Sequence, residues 1–229
     1  MFVPAHQTSL LLFSQEPLPD LSLATRLVET LAHGLPGLFN PWRDHCQYES
    51  ACDGPEARII RLARHLDCDP LFILAGEAPG YQGCHFSGVA FTSERLLLEG
   101  AIPRIPAPTN RLSTRHRAFS EPSATIVWQN LKRLGIADRT ILWNAVQLHP
   151  HKPGNVLSNR TPTPAELAHG VAALRILLET FPTSKLVAVG KKAERLLTEM
   201  KVKVSGSVRH PANGGATKFA RELEALISI

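Results

Sequence analysis

The 229-residue chain has no apolar run approaching the ~18 residues that a membrane-spanning helix requires. The short stretch at residues 9–13, Ser-Leu-Leu-Leu-Phe, lacks the basic flank of a secretion leader. A soluble, cytoplasmic protein with no membrane partner is therefore expected. Cysteine is sparse as well: Cys46, Cys52, Cys68 and Cys84 stand 6, 16 and 16 positions apart, with no Cys-x-x-Cys pair. Zinc and iron–sulfur sites are usually marked by at least one close pair. The expectation is scattered reduced thiols, no metal and no cofactor. Internal repeats are also lacking. The charge balance is mildly basic, with a net charge of +5 and a pI near 9.2. That permits a polyanionic partner without requiring one.

What is present is an ordinary globular composition, 44% hydrophobic, in a chain long enough for one compact domain with a sizeable core. Residues 1–69 read as helical support. A helix over 21–33 is closed by Gly34 and Pro36, and a second begins at Asp53 and Pro55 with Ile59, Ile60, Leu62, Ala63 and Leu66 along one face. From residue 70 onward the pattern alternates. Short apolar runs at 71–75, 140–146, 185–189 and, more weakly, 202–208 predict strands. Helices are predicted at 93–98, 123–134, 163–178, 191–200 and 217–227. The helix at 163 has a capping box in Thr163, Pro164 and Glu166. Such alternation predicts an α/β fold, a central parallel sheet of about four strands with helices on both faces.

Ligands of parallel sheets bind beyond the carboxyl ends of the strands, so the residues following each strand carry the functional question. The four exits read Gly76-Glu77-Ala78-Pro79-Gly80, then Asn144 with Gln147 to His151, then Gly190-Lys191-Lys192, then Arg209-His210-Pro211-Ala212-Asn213-Gly214-Gly215. All four are polar, glycine-bearing or basic. Lys191 and Lys192 open a helix, where the macrodipole disfavours cations, so an anion nearby would account for them. Residues 100–122 are proline-rich and basic, and longer than an ordinary connection. They read either as a disordered surface loop or as a segment that tracks phosphates.

The ordered set GEAPG (76–80), GVAFTS (88–93), LWNAV (142–146), NRTPTPAE (159–166) and VRHPA (208–212) resembles the uracil-DNA glycosylase superfamily over about residues 70–229. The first and fourth motifs look most like its family 4. The resemblance implies a monomeric three-layer α/β/α domain that hydrolyses the N-glycosidic bond of uracil flipped out of DNA in base-excision repair, releasing free uracil. It implies roles by motif. Phe91 would stack on the base, Asn144 would read its O4 and N3 edge, and His210 would stabilise charge on the departing ring through O2. Gly76, Ala78, Gly80 and Tyr81 would shape the base pocket. Arg209, Asn213, Gly214, Lys191 and Lys218 would meet the DNA.

Several positions depart from the family pattern. Ala78 stands where the strictly uracil-specific enzymes carry a water-activating aspartate, so Glu77 is the expected catalyst, with His85 as substitute. Gly80 stands where those enzymes carry the tyrosine that excludes thymine's methyl group, a task the adjoining Tyr81 could assume. A substrate range extending to hypoxanthine and xanthine is expected in consequence. The loop after His210 lacks an apolar wedge, which places extrusion on Arg209 or on substrates already mispaired or single-stranded. Family 4 enzymes hold an iron–sulfur cluster, but Gln147 falls where one ligand cysteine would stand, and no cluster is expected. Two other readings use the same residues: a nucleic-acid-binding module of this fold that has lost catalysis, and a hydrolase of small nucleosides.

Overall fold

The computed structural model describes residues 17–228, so the stretch at 9–13 lies outside the described residues. In chain order the elements are α1 (Ser22–Glu29), β1 (Leu38–Phe39), α2 (Pro55–Leu66), β2 (Phe72–Gly76), α3 (Cys84–Ser87), α4 (Glu94–Leu98) and α5 (Pro122–Arg133). There follow β3 (Thr140–Asn144), β4 (His149–Pro150), α6 (Ala168–Thr180), β5 (Lys185–Val189), α7 (Lys191–Glu199), β6 (Gly206–Val208) and α8 (Ala216–Ile227). Four strands form a parallel sheet in the order β3-β2-β5-β6. Strands β2 and β3 are buried along their whole length, as expected of strands covered on both faces.

Alternate residues of these strands face two separate cores. Leu74, Leu142, Val187 and Val208 join α5 and α8 through Val127, Trp128, Leu131, Phe219 and Leu223. Ile73, Ile141, Leu186 and Ala188 join α1, α2, α6 and α7 through Leu27, Leu62, Leu174 and Leu197. The period of two along each strand thus generates the three α/β/α layers. Among the described residues no helix is long and apolar enough to cross a membrane.

The predicted elements differ from the observed ones for identifiable reasons. Strand β3 stops at Asn144 because the consecutive N–H groups of Ala145 and Val146 both bond the end of β2, at the carbonyls of Gly76 and Glu77 (2.8 and 3.1 Å), which breaks the alternation of a strand. The capping box forms, with the Thr163 N–H donating to the Glu166 carboxylate at 2.8 Å. It starts a 3₁₀ turn (Pro164–Leu167) before the α-helix proper begins at Ala168. The ribbon of β1 and β4, two residues each, is too short to leave a periodic signal.

Residues 100–122 are neither a disordered loop nor a free basic arm. Ile102, Ile105, Leu112 and Phe119 are buried in the core. Arg104 donates to the carbonyls of Asp138 and His65, at 2.7 and 2.9 Å. The segment is tied down by Glu94, whose fully buried carboxylate accepts from Arg111 Nε (2.7 Å), the N–H groups of Leu112 (2.9 Å), Ser113 (3.1 Å) and Phe119 (2.9 Å), and Ser113 Oγ (2.7 Å). Burial alone would raise the pKa of this carboxyl, but the hydrogen bonds from Arg111, Ser113 and Phe119 outweigh it and hold the group below the ordinary glutamate range. Glu94→Ala leaves those donors buried and unpaired, and is expected to lower the unfolding free energy by about 3–5 kcal/mol. Urea denaturation of the variant measures the loss, and a change below 1 kcal/mol would rule out this role for Glu94.

Candidate active site

In the strand order β3-β2-β5-β6, connections leave the central pair β2 and β5 toward opposite edges, and the crevice at their carboxyl ends is the expected binding position. A cavity of about 690 Å³ lies there. Its walls include Glu77, Ala78, Gly80, Phe91, Asn144, Lys191, Arg209, His210 and Asn213, so residues from all four strand exits meet in one space.

The cavity is organised at Gly76. A Cβ at this position would lie 2.7 Å from the Phe91 ring and 2.9 Å from Asn144 Oδ1, so the ring and the amide converge on a backbone that has no room for a side chain. Phe91 itself adopts φ 48°, a conformation costing a non-glycine residue about 1–2 kcal/mol, and is held there by burial. Asn144 is buried in the adjacent strand, and its backbone carbonyl accepts from Gln147 Nε2 at 2.7 Å. Its side-chain amide has no hydrogen-bond partner among the described residues and faces the cavity.

His210 follows β6. Its Nδ1 accepts the Ala212 N–H at 3.2 Å, which places the proton of the neutral ring on Nε2. Burial, then the charges of Arg209 and Lys192, hold its pKa below the ordinary value of 6.5, so the ring is neutral at physiological pH. Gly190 allows the approach: at φ 92° its backbone suits only glycine, and a Cβ there would sit 2.8 Å from His210 Cβ.

Glu77 and Lys192 face each other at 3.4 Å, and Lys192 also donates to Thr161 Oγ1 at 2.8 Å. The anion that accounts for Lys192 at the start of α7 is therefore supplied within the chain. Lys191, beside it, is exposed on the cavity wall.

Tyr81 and His85 face away from the cavity, while Lys218 and Gly214, expected to meet DNA, lie exposed outside its lining. Tyr81 turns its ring edge-on to Phe119, with centroids 5.9 Å apart, and packs on the core instead of closing the base pocket. His85 is fully buried, stacked on Phe39 with centroids 3.9 Å apart, so it cannot reach a substrate water as a substitute for Glu77. Lys218 is exposed on α8 and paired with Glu222 at 3.6 Å. Gly214, at φ 75°, sits at an exposed loop tip where a Cβ would meet nothing within 4 Å.

Among the cavity residues that escaped sequence reasoning are a carboxyl and an amide. Glu121, directly before α5, accepts from Ser123 Oγ at 2.8 Å, and burial raises its pKa above the ordinary glutamate value. It is a second carboxyl in the cavity, and the helix start at Pro122 was the only sequence signal beside it. Asn159, part of the NRTPTPAE stretch, lines the wall next to Gly80. The cysteines offer no cluster site. All four are free thiols, and no group of three His, Cys, Asp or Glu among the described residues is arranged to hold a metal ion.

Residues 64–227 match the family model described as the uracil DNA glycosylase superfamily. No curated protein matches the sequence. Among solved structures, the chain is similar to the crystal structure of wild-type SMUG2 from Pedobacter heparinus. The identity is 15% and the TM-score 0.59, covering 90% of this chain and 99% of that one. At this identity the likeness is one of fold.

The convergence at Gly76 has a direct test. Gly76→Ala is expected to displace Phe91 and Asn144, losing at least tenfold in ligand affinity or turnover while the circular dichroism stays native. Unchanged affinity and turnover would mean that this contact does not shape the cavity.

Proposed function

The chain belongs to the uracil DNA glycosylase superfamily, and from this premise we propose that it hydrolyses the N-glycosidic bond of uracil, and of other deaminated bases, extruded from DNA during base-excision repair. The observation that carries this reading is the convergence of Phe91, Asn144 and His210, from three separate segments, on one cavity. DNA containing uracil is the substrate, free uracil the product, and the protein acts as a monomer without a cofactor.

In this mechanism the extruded base stacks on Phe91, whose ring replaces the neighbours lost from the duplex. Asn144 offers an amide donor to O4 and a carbonyl acceptor to N3–H, a pairing that cytosine, with its amino group and bare N3, cannot match. As the bond from C1′ to N1 stretches, its electron pair leaves with the base and negative charge spreads to O2. The His210 Nε2–H donates there. A neutral donor already in place needs no proton transfer at the transition state. Glu77 faces the cationic sugar and orients the water whose oxygen bonds to C1′. The proton released by that water goes to solvent, and the uracil anion is protonated after it departs. Lys191 and Arg209, exposed on the same wall, attract the phosphates that flank the extruded nucleotide.

Incubation with a uracil-containing oligonucleotide followed by alkali should cleave the strand at uracil. No cleavage under any strand context would reject the reading. Glu77→Gln should slow excision at least tenfold with unchanged thermal stability, and near-normal turnover would remove Glu77 from the mechanism. The depressed pKa of His210 gives the pH dependence its sign. Excision should stay level from pH 8 down to the ordinary imidazole value of 6.5 and decline only on the acid side, where protonation of Nδ1 breaks its bond to the Ala212 N–H. A rate that rises as pH falls through 6.5 would instead identify an imidazolium as the donor.

A further inference from the structure

Resting on the glycosylase reading, we propose that Asn159 is a specificity-determining residue of the base pocket. It presents side-chain N–H donors to the base at the wall it shares with Gly80, favouring a base solvated or hydrogen-bonded there over one that carries a methyl group.

The orientation of the Asn159 amide is fixed by its neighbours. Its Oδ1 accepts the backbone N–H of Tyr81 at 3.0 Å and lies 3.1 Å from His149 Nε2. A peptide N–H has no lone pair to offer, so the oxygen, not the nitrogen, must face Tyr81. His149 is also a donor at this atom, because its Nε2 lies 2.9 Å from the carbonyl oxygen of Ser158. That leaves His149 Nδ1 as an acceptor, and His85 Nδ1, 2.9 Å away, supplies the hydrogen. The two buried imidazoles thus form a one-way chain of hydrogen bonds that ends on Asn159 Oδ1. With the oxygen doubly engaged, the Nδ2 group is left as the free end, and it has no hydrogen-bond partner among the described residues.

That free end lies on the cavity wall. Asn159 Nδ2 is 3.4 Å from where a Cβ of Gly80 would be, so the glycine leaves the amide uncovered. Tyr81 adds no ring to this wall, since its side chain is turned to Phe119. Asn144 and His210 together account for O4, N3 and O2 of a uracil, leaving its C5 edge for the rest of the wall, of which Asn159 is one part beside Gly80. Asn159 is exposed to the cavity, so water can accept from its Nδ2 donors; a methyl group brought against them displaces that water and leaves them unpaired, whereas a bare C5–H leaves space for it. A polar pocket of this kind rejects an apolar substituent more strongly than a mismatch of size alone would.

The test compares wild type with Asn159→Leu, of similar volume but without donors. Single-turnover excision of uracil and affinities for free uracil and free thymine are measured alongside the Asn159 side-chain amide resonances of the wild type during a uracil titration. The expected results are a tenfold or larger loss of uracil-over-thymine preference in Asn159→Leu and a shift of the wild-type Nδ2 protons on saturation with uracil. Intact uracil excision with preference unchanged within twofold, or a titration that saturates without moving those protons, would overturn the proposal while leaving the glycosylase reading in place. A wild type that neither excises nor binds uracil would overturn both. If Asn159→Leu fails to fold, the wild-type titration decides alone.

Discussion

The pocket depends on one steric constraint, the bare Cα at the end of β2. Gly76 pairs with Asn144 across the parallel ladder, and the Phe91 ring returns from the following loop to rest on the same spot. Three separated positions are thereby set relative to one another by backbone and contact distance. The conformational cost at Phe91 is offset by the burial of its ring, an arrangement typical of places where local strain holds a group ready for a ligand.

Around that fixed point the electrostatics divide into two kinds. Groups inside the cavity are kept from charging or are neutralised. His210 is held neutral, Glu121 is pushed toward its protonated form by burial, and Glu77 is matched by Lys192. The cations of the wall, Lys191 and Arg209, remain exposed to water and its ions. Attraction of a polyanion and recognition of an uncharged base are therefore assigned to different residues, and salt should act on the first far more than on the second.

Much of this was legible in the chain itself. Alternating apolar runs gave the sheet, the Thr163–Glu166 box gave a helix start, and the glycine-rich and polar strand exits converge in one cavity. The remainder depends on contacts between residues far apart in sequence, which no local pattern encodes. Arg104 reads as a surface cation, yet its guanidinium satisfies carbonyls 33–39 positions away. Lys192 reads as a helix-start cation in want of an anion until Glu77, 115 positions earlier, is placed opposite. Tyr81 and His85 carry the right chemistry beside the right motif, but α3 and Phe119 draw them into the core. Asn159 has no role legible in the NRTPTPAE stretch because its partners, Tyr81 and His149, are supplied by folding.

The Glu94 carboxylate joins the start of α4 to Arg111, Leu112, Ser113 and Phe119, and so closes two successive loops on one atom pair without a covalent bond. Each donor of such a clasp matters to the others, since losing one leaves the rest to satisfy a buried anion. Residues 94–119 are thus tied together through one shared carboxylate. The chain directly after it carries Glu121 to the cavity, so the local stability of a segment remote from the base sets how firmly one wall of the pocket stands.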